Sequence, residues 1–480
     1  MCRISAAIHA SLCCLIFAGC ATVPLEESFR DIEQSLEDEQ GFTIQWKGVT
    51  GPEDAGAEAV SRLLAEGLTA EEATQIALLN NARLQAVYEQ FGIARAELVE
   101  AGLPDNPVFT GELLFENSSS QSWELEIAEE LMSVLLIPRR RAVAKDVLEQ
   151  SRLQVIGAVI DVAMDTRRAF LHFQADAQVV DLLEDLLLAA DAAFEMAVRM
   201  REAGVLPLSE LGAAQRRYED AKLAYSAAEL DLEASRERVN RLMGLHGSAS
   251  QWEAESPLRE APTENTFPAD YERRAIEKSL DLAAAWLDIK LAAGRSGLHN
   301  LEDIFSDIEV GVSLESDEPE AGGRRWEVGP VLSFPIPLFN QGQAARAIGR
   351  AEVRQQWDLY TAIAVELRSA SRAAAHRVSA AREMTRYREN VNLEVARHEM
   401  EQALLRYNGM LIGPIELLQK KQDEIDVEID CVGTLLEYWL ARSDIEQILM
   451  GRLIIRAPED RPDIIGANVQ RASADEEGAH

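Results

Sequence analysis

Carboxylates are the most abundant groups in this chain that can do chemistry, since Asp and Glu number 82 against 47 Lys and Arg. Paired carboxylates hydrolyse glycosides in many enzymes, but no α/β or barrel pattern here forms a cleft around any pair. The seven histidines are scattered. His398 and Glu399 lack the second histidine, four residues on, that a zinc-protease helix needs. The sequence therefore predicts no catalytic residue, no metal ligand and no cofactor, and the protein is not expected to be an enzyme.

A second use of carboxylates is to line a water-filled path. Alternation along short predicted strands puts Trp123, Leu125 and Ile127 on one face and glutamates on the other. Rings of carboxylates favour cations over anions, although any polar residue is sufficient to wet a lumen. Few His or Met residues occur on these strands, so soft-metal coordination is not supported. The predicted lumen-facing residues are Glu112, Glu124, Glu126, Glu309 and Glu327.

Two hairpins must position these glutamates, with strands predicted at 108–115, 123–128, 308–314 and 326–334. Alternation over about 8–10 residues, with aromatic residues near the ends, is typical of membrane β-barrel strands. Four strands cannot close a barrel, and an open edge in lipid leaves backbone groups unsatisfied. The barrel is therefore expected to be shared between protomers. The alternative is a pair of ordinary hairpins half buried on a soluble domain.

Long helices flank the hairpins and make up most of the chain. Helices are predicted at about 139–202, 208–243, 344–407 and 415–450, because Gly and Pro are sparse there while Ala, Leu, Glu and Arg dominate. An imperfect heptad pattern predicts lengthwise packing of the first helix. Periodicity alone is equally compatible with a soluble coiled coil or a spectrin-like rod. The residues of this pattern are Val155, Val159, Val162, Thr166, Ala169, Phe173 and Val180.

The chain also repeats itself, which predicts a duplicated architecture. An offset of 198 brings Leu84 onto Leu282 and Tyr88 onto Trp286. Later in each half, an offset of 207 brings Pro207 onto the proline at 414. The order of elements and turns is the same in both halves, so a duplication explains the matches better than chance.

One turn joins the two long helices of each half, at 203–207 in the first half and at 408–414 in the second, and the second turn is expected to be about two residues longer. Charges of both signs flank these turns. We expect ion pairs among them to hold the converging turns closed; the alternative is a set of solvated charges without a gating role. The predicted tip residues are Arg199, Arg201, Glu202, Glu210, Arg406 and Glu416.

The N-terminus carries one positive charge, then an apolar run from 4 to 18, then Ala18-Gly19-Cys20. This pattern predicts a secretory signal that ends in a lipobox, with Cys20 acylated as the mature N-terminus. The alternative is a plain signal peptide cut nearby. Past Cys20 only Cys431 remains, so no disulfide framework is expected. The net charge of −35 argues against nucleic acid as a partner.

The chain resembles the TolC-like outer-membrane efflux factors from about residue 68 to residue 453. The motifs that carry the resemblance are Leu68-Thr69-Ala70-Glu71-Glu72-Ala73, Asn80-Asn81, Ala101-Gly102-Leu103-Pro104, Phe334-Pro335-Ile336-Pro337-Leu338-Phe339-Asn340-Gln341-Gly342 and Arg406-Tyr407-Asn408-Gly409.

This resemblance implies a homotrimer with a twelve-stranded β-barrel in the Gram-negative outer membrane, continued by an α-helical barrel into the periplasm. It also implies a periplasmic adaptor and an inner-membrane efflux pump as partners, with the trimer as a passive exit duct. Two alternatives remain open. One is a periplasmic adaptor, which needs a lipoyl-like β block and shows no duplication, and the other is a lipid-anchored coiled coil without a pore.

The predicted organisation has six parts. They are a signal peptide at 1–19, an anchored linker at 20–55, a first repeat at 56–245, a connector at 246–268, a second repeat at 269–453 and a disordered tail at 454–480. The predicted fold class is mainly α with membrane β.

Overall fold

The computed structural model describes residues 23–51, 55–65, 67–116, 120–254, 257–262, 267–305, 308–317, 325–336 and 338–454. Cys20 and nearly all of the C-terminal tail lie outside these residues. In the first half the elements are α1 Leu25–Gln40, α2 Ala55–Leu63, α3 Ala70–Asn80, α4 Ala82–Glu100, β1 Val108–Glu116, β2 Ser120–Glu130, α5 Leu131–Glu202 and α6 Leu208–Met243.

The second half has the same order of hairpin and long helices. Its elements are α7 Tyr271–Lys278, α8 Leu280–Phe305, β3 Glu309–Asp317, β4 Arg325–Ser333, α9 Gln343–Tyr387, a π turn Arg388–Asn392, α10 Leu393–Asn408 and α11 Pro414–Leu449. The predicted duplication of long-helix repeats is thus confirmed.

Local chemistry sets several of these boundaries. Thr69 caps α3, because its hydroxyl accepts from the Glu72 N–H while the Glu72 carboxylate accepts from the Thr69 N–H. The Asn81 side chain caps the start of α4. Gly244 ends α6 with φ +67°, a left-handed conformation that glycine adopts without strain.

Two sequence predictions about helix ends are wrong. The outward helix α5 begins at Leu131, not near 139, and contains Pro138. The Leu131 N–H donates to the Ile308 carbonyl at 2.9 Å, so the helix starts where β2 leaves the sheet. Pro138 lies only two turns from this start. The two tip turns are also equal in length, at 203–207 and 409–413, because α10 runs on to Asn408.

The predicted lengthwise packing of α5 is confirmed. Val155, Val159, Thr166 and Ala169 are fully buried. The return helix α6 packs against α5 through small residues seven apart, which allow the two backbones to approach closely. These residues are Ala214, Ala221, Ala228 and Ser235.

The four strands form one antiparallel sheet in the order β1-β2-β3-β4. The long helices form a similar open array, in which α6 contacts α5, α5 contacts α11, and α11 contacts α9 and α10. Among the described residues, neither array closes on itself: β1 and β4 are the free edges of the sheet. Ion pairs join the two repeats, including Arg452 with Asp161 at 2.8 Å and Arg167 with Glu446 at 2.8 Å.

Within the described ranges, none of the helices is both long enough and apolar enough to cross a membrane.

Candidate functional site

The strand register aligns four glutamates in one row across the sheet. Glu112 lies opposite Glu124, Glu124 lies opposite Glu315, and Glu315 lies opposite Glu327. Residues directly opposite each other in antiparallel strands share a face, with Cβ atoms about 4.5–5.5 Å apart. The row therefore runs across all four strands on a single face.

The remaining two predicted glutamates lie on that same face. Glu126 is two residues from Glu124 and pairs with Ser313, while Glu309 pairs with Glu130 and Ser333. Side chains two residues apart on a strand point the same way. All five predicted residues are thus brought together on one surface, together with Glu315 and Glu130.

The opposite face of the sheet is apolar and exposed in the single chain. Val312 pairs with Ile127 and Pro330, and Val310 pairs with Leu332 and, near the end of β2, with Glu129. Large apolar side chains on this face are between 38% and 69% exposed: Phe109, Leu113, Trp123, Ile127, Val310, Val312, Trp326, Val328 and Leu332. Monomeric soluble proteins rarely expose continuous apolar surface on this scale.

The glutamates of this row repel each other. Like charges directly opposite each other destabilise a sheet, and none of these carboxylates forms an ion pair with a side chain that the structure describes. Such a surface attracts water and mobile cations, and these screen the repulsion between its carboxylates. One exposed apolar face and one acidic face suit a sheet between lipid and water.

Sequence reasoning missed Glu315 and Glu130 as members of this surface. Glu315 is six residues from Glu309 along β3 and so lies on the same face. The predicted strand ended at residue 314. A strand extended by one residue would have included Glu315 by the same alternation. Glu130 lies at the end of β2, next to the unexpected early start of α5.

The two tip turns lie side by side at the other end of the long helices. The turn at 203–207 places Leu206 in a cluster with Ala197 and Ala214, and Ile415, in the first turn of α11 directly after the second tip turn, packs against this cluster. The Tyr407 hydroxyl donates to the Met196 sulfur at 3.2 Å. Both turns therefore belong to one surface.

Among the described residues, one ion pair of the predicted tip charges bridges two helices. Arg406 on α10 pairs with Glu416 on α11 at 3.5 Å, with both side chains more than half exposed. Arg199 pairs within its own helix, with Glu195 at 3.0 Å. Arg201 donates to the Leu206 carbonyl at 3.1 Å, which closes the first turn.

Glu202 and Glu210 are exposed near the first turn, and within the described part of the chain neither forms an ion pair. Glu210 lies in the first turn of α6, where a negative charge favours the helix. In the same described residues, no group of three or more His, Cys, Asp or Glu side chains is arranged to hold a metal ion.

Comparison of the sequence with family models and with curated proteins finds no match. Solved structures do match the fold. A membrane protein from Pseudomonas aeruginosa is 17% identical, with 82% of this chain and 92% of that chain covered and a TM-score of 0.67.

The Campylobacter jejuni CmeC outer membrane channel is 14% identical, with 90% of this chain and 94% of that chain covered and a TM-score of 0.67. The Neisseria gonorrhoeae MtrE outer membrane channel, in its open state, is 16% identical, with 80% and 89% covered and a TM-score of 0.65.

The fold is therefore that of the TolC-like outer-membrane channels. The predicted fold class of long duplicated helices with four strands per chain is confirmed by this likeness and by the order of the elements.

Proposed function

We propose that this protein is one protomer of a trimeric exit duct in the Gram-negative outer membrane, which passively conducts substrates out of the periplasm. The observation that carries the proposal is the sheet with one acidic face and one exposed apolar face, joined directly to the helix α5. That helix spans 72 residues, or roughly 110 Å, which is long enough to reach far into the periplasm.

Assembly with other copies follows from the two open arrays. An unpaired strand edge is not tolerated in lipid, so β1 and β4 must each meet a strand from a neighbouring copy. Two copies supply eight strands, which enclose a space filled by side chains, whereas three supply twelve and leave a lumen. The helical array has exposed apolar residues at both edges: Leu223 and Leu230 on α6, and Val395 on α10. These edges suit contact with neighbouring copies.

We infer that the acidic face lines the lumen and that cations pass more easily than anions. Three copies contribute twelve carboxylates from the row of Glu112, Glu124, Glu315 and Glu327. A path lined by one sign of charge concentrates counter-ions. The cargo class supported by this surface is therefore cationic or neutral.

At the tip, we propose that the Arg406–Glu416 pair helps to hold the duct closed and that a periplasmic adaptor, coupled to an inner-membrane pump, competes with it. The pair is exposed on both sides, so it contributes about 0–1 kcal/mol per protomer. Such a contact is weak enough for a partner to displace.

The localisation proposal includes a lipid anchor at Cys20. It is supported by the apolar run followed by Ala18-Gly19-Cys20. Mass spectrometry of the mature N-terminus tests it: an acylated cysteine is expected for the wild type and none for Cys20→Ser. An unmodified wild-type terminus contradicts the anchor and leaves the duct proposal intact.

The duct itself is tested by reconstituting the purified protein in planar bilayers. We expect stepwise conductance from the trimer only, and a reversal potential that indicates preference for cations. Glu124→Gln with Glu315→Gln is expected to shift that potential towards zero, whereas the control Glu219→Gln on the exposed side of α6 leaves it unchanged. A trimer without conductance would instead support a lipid-anchored structural protein.

The tip is tested in the same bilayers with Arg406→Gln and Glu416→Gln. Each change, and the two together, are expected to raise single-channel conductance because they remove the same contact. Arg199→Gln is the control, since Arg199 pairs within its own helix. Conductance at the wild-type level in all variants locates gating elsewhere, and the duct proposal stands.

A further inference from the structure

A cavity of about 250 Å³ lies where the two repeats meet. Its walls come from the start of α3, from one face of α5, from the connector at 257–262 and from α11. It is far from both the sheet and the tip turns, and nothing in the proposed duct uses it.

The cavity has an apolar wall and a fixed rim. Leu171 on α5 is buried, and Trp439 on α11 packs near it. The Trp439 indole N–H donates to the Arg259 carbonyl at 2.7 Å. The guanidinium of Arg442 lies 5.8 Å from the centre of the Trp439 ring. These contacts hold the connector against α11, so the cavity is shaped before any ligand arrives.

Three guanidinium groups line this one cavity: those of Arg167, Arg259 and Arg442. Three carboxylates of the described residues lie close by, and one of them, that of Glu72, accepts from the N–H and the hydroxyl of the lining residue Thr69. Glu446 accepts from Arg167 at 2.8 Å and from Arg442 at 2.8 Å. Glu71 lines the cavity and, among the described residues, has no ion-pair partner. Among the described residues the three guanidinium groups and the three carboxylates balance, so this cavity is neutral in a chain whose net charge is −35.

Donors remain for an added anion. A guanidinium carries five N–H donors, and Arg167 directs one of them to Glu446. No carboxylate of the described residues lies within ion-pair distance of Arg259. The first N–H groups of α3 also end at this cavity, where Thr69 caps only the Glu72 N–H, and the positive end of a helix favours an anion.

We propose that this cavity binds a small oxyanion, a carboxylate or a phosphate group, held by Arg167 and Arg259 between the two repeats. Planar guanidinium groups match both anions with paired hydrogen bonds. An anion bound there links α3 and α5 of the first repeat to α11 of the second, so it resists movement of one repeat against the other.

Binding is measured by calorimetry on the purified full-length protein in chloride buffer, with inorganic phosphate and succinate as separate probes. We expect saturable binding of at least one probe, at one site per protomer. Arg259→Gln is expected to weaken that binding about 10-fold, because it removes a charged hydrogen-bond donor. Preference between the two probes identifies which oxyanion the cavity selects.

Two further variants make the test specific. Glu71→Gln removes a negative charge from the cavity and is expected to strengthen binding about 3-fold, in the direction opposite to Arg259→Gln. The control Arg216→Gln changes an exposed arginine on α6 near the tip. This residue lies about 40 Å from the cavity in the direction of the helix axis, so the change should leave binding unchanged.

No saturable binding of either probe, or weak binding that is equal in Arg259→Gln and Arg216→Gln (an adventitious ion only), overturns the proposal. So does an unchanged affinity in Glu71→Gln, which alters a solvent-exposed side chain and is expected to fold. Conductance is not part of this measurement, so its outcome is independent of whether the trimer forms a duct.

Discussion

The two faces of β3 provide a matched test of where the sheet lies. Val312 is 54% exposed and pairs with Ile127 and Pro330 on the apolar face. Ser313, the next residue, pairs with Glu126 on the acidic face. Arginine at each position adds the same charge at nearly the same depth. Only the environment differs between the two variants.

The expected difference follows from the geometry of the strand. β3 has nine residues, which span about 30 Å along the strand and about 23 Å along the membrane normal when tilted by about 40°. Val312 is the fourth residue, within about 3 Å of the middle. Arginine on the lipid face near the midplane costs about 2–4 kcal/mol, so a trimer loses about 6–12 kcal/mol. In Ser313→Arg the new guanidinium instead faces the Glu126 carboxylate.

The assay is the amount of heat-modifiable trimer in outer-membrane fractions, with total protein measured alongside. Val312→Arg is expected to reduce assembled trimer at least 10-fold, and Ser313→Arg to leave it within about 2-fold of the wild type. Equal assembly of the two variants, whether both succeed or both fail, refutes the assignment of the apolar face to lipid.

Three further predictions concern the second repeat. Gly451→Ala should lower the free energy of unfolding by about 2–4 kcal/mol in urea titrations, because φ is +104° there and an added Cβ lies 2.4 Å from the Lys278 carbonyl oxygen. Met410→Gly should raise the free energy of unfolding by about 1 kcal/mol. Met410 has φ +59°, and glycine (Gly204) holds the equivalent position of the first tip turn. A lower stability of this variant contradicts the prediction. Burial raises the pKa of Cys431 to about 11. Alkylation of this thiol at pH 8 should therefore be more than 100-fold slower than that of free cysteine, and the alkylation rate should rise about tenfold per pH unit. A rate independent of pH contradicts the raised pKa.

Elements with a strong local signal were predicted well from the sequence. The bounds of α6 agree with the prediction at both ends, because Pro207 precedes its first residue and Gly244 follows its last. Residues 203–207 form the predicted turn, closed by the left-handed Gly204. In such places the chemistry of a few adjacent residues decides where a helix stops.

Features that depend on distant partners were predicted less well. Alternation placed Glu124 and Glu327 on polar faces, but the row through Glu315 depends on how β2 pairs with β3, and the sequence of neither strand specifies that register. The start of α5 at Leu131 likewise depends on a hydrogen bond to Ile308 in the other repeat.

Positions that are equivalent in the two repeats have different surroundings in the tertiary structure. Tyr88 and Trp286 are equivalent by sequence offset, yet Tyr88 is fully buried while Trp286 is 44% exposed. Phe29 and Trp46, from the N-terminal segment that received no predicted elements, pack against Tyr88 and Phe91. No described segment does the same for the second repeat.

A second asymmetry lies in the outward helices. The first, α5, is continuous, whereas the second is interrupted by the π turn Arg388–Asn392. A π turn holds an extra residue in the helix, so it shifts the side chains below it relative to those above. Arg388 pairs with Asp430 of α11 at this point, with a buried Thr385 hydroxyl donating to the Thr434 carbonyl one turn earlier. The two pairs of long helices in one protomer are therefore anchored differently, and the difference lies about two-thirds of the way along the second outward helix towards its tip turn. We expect a force applied at the tip to bend the two helix pairs differently.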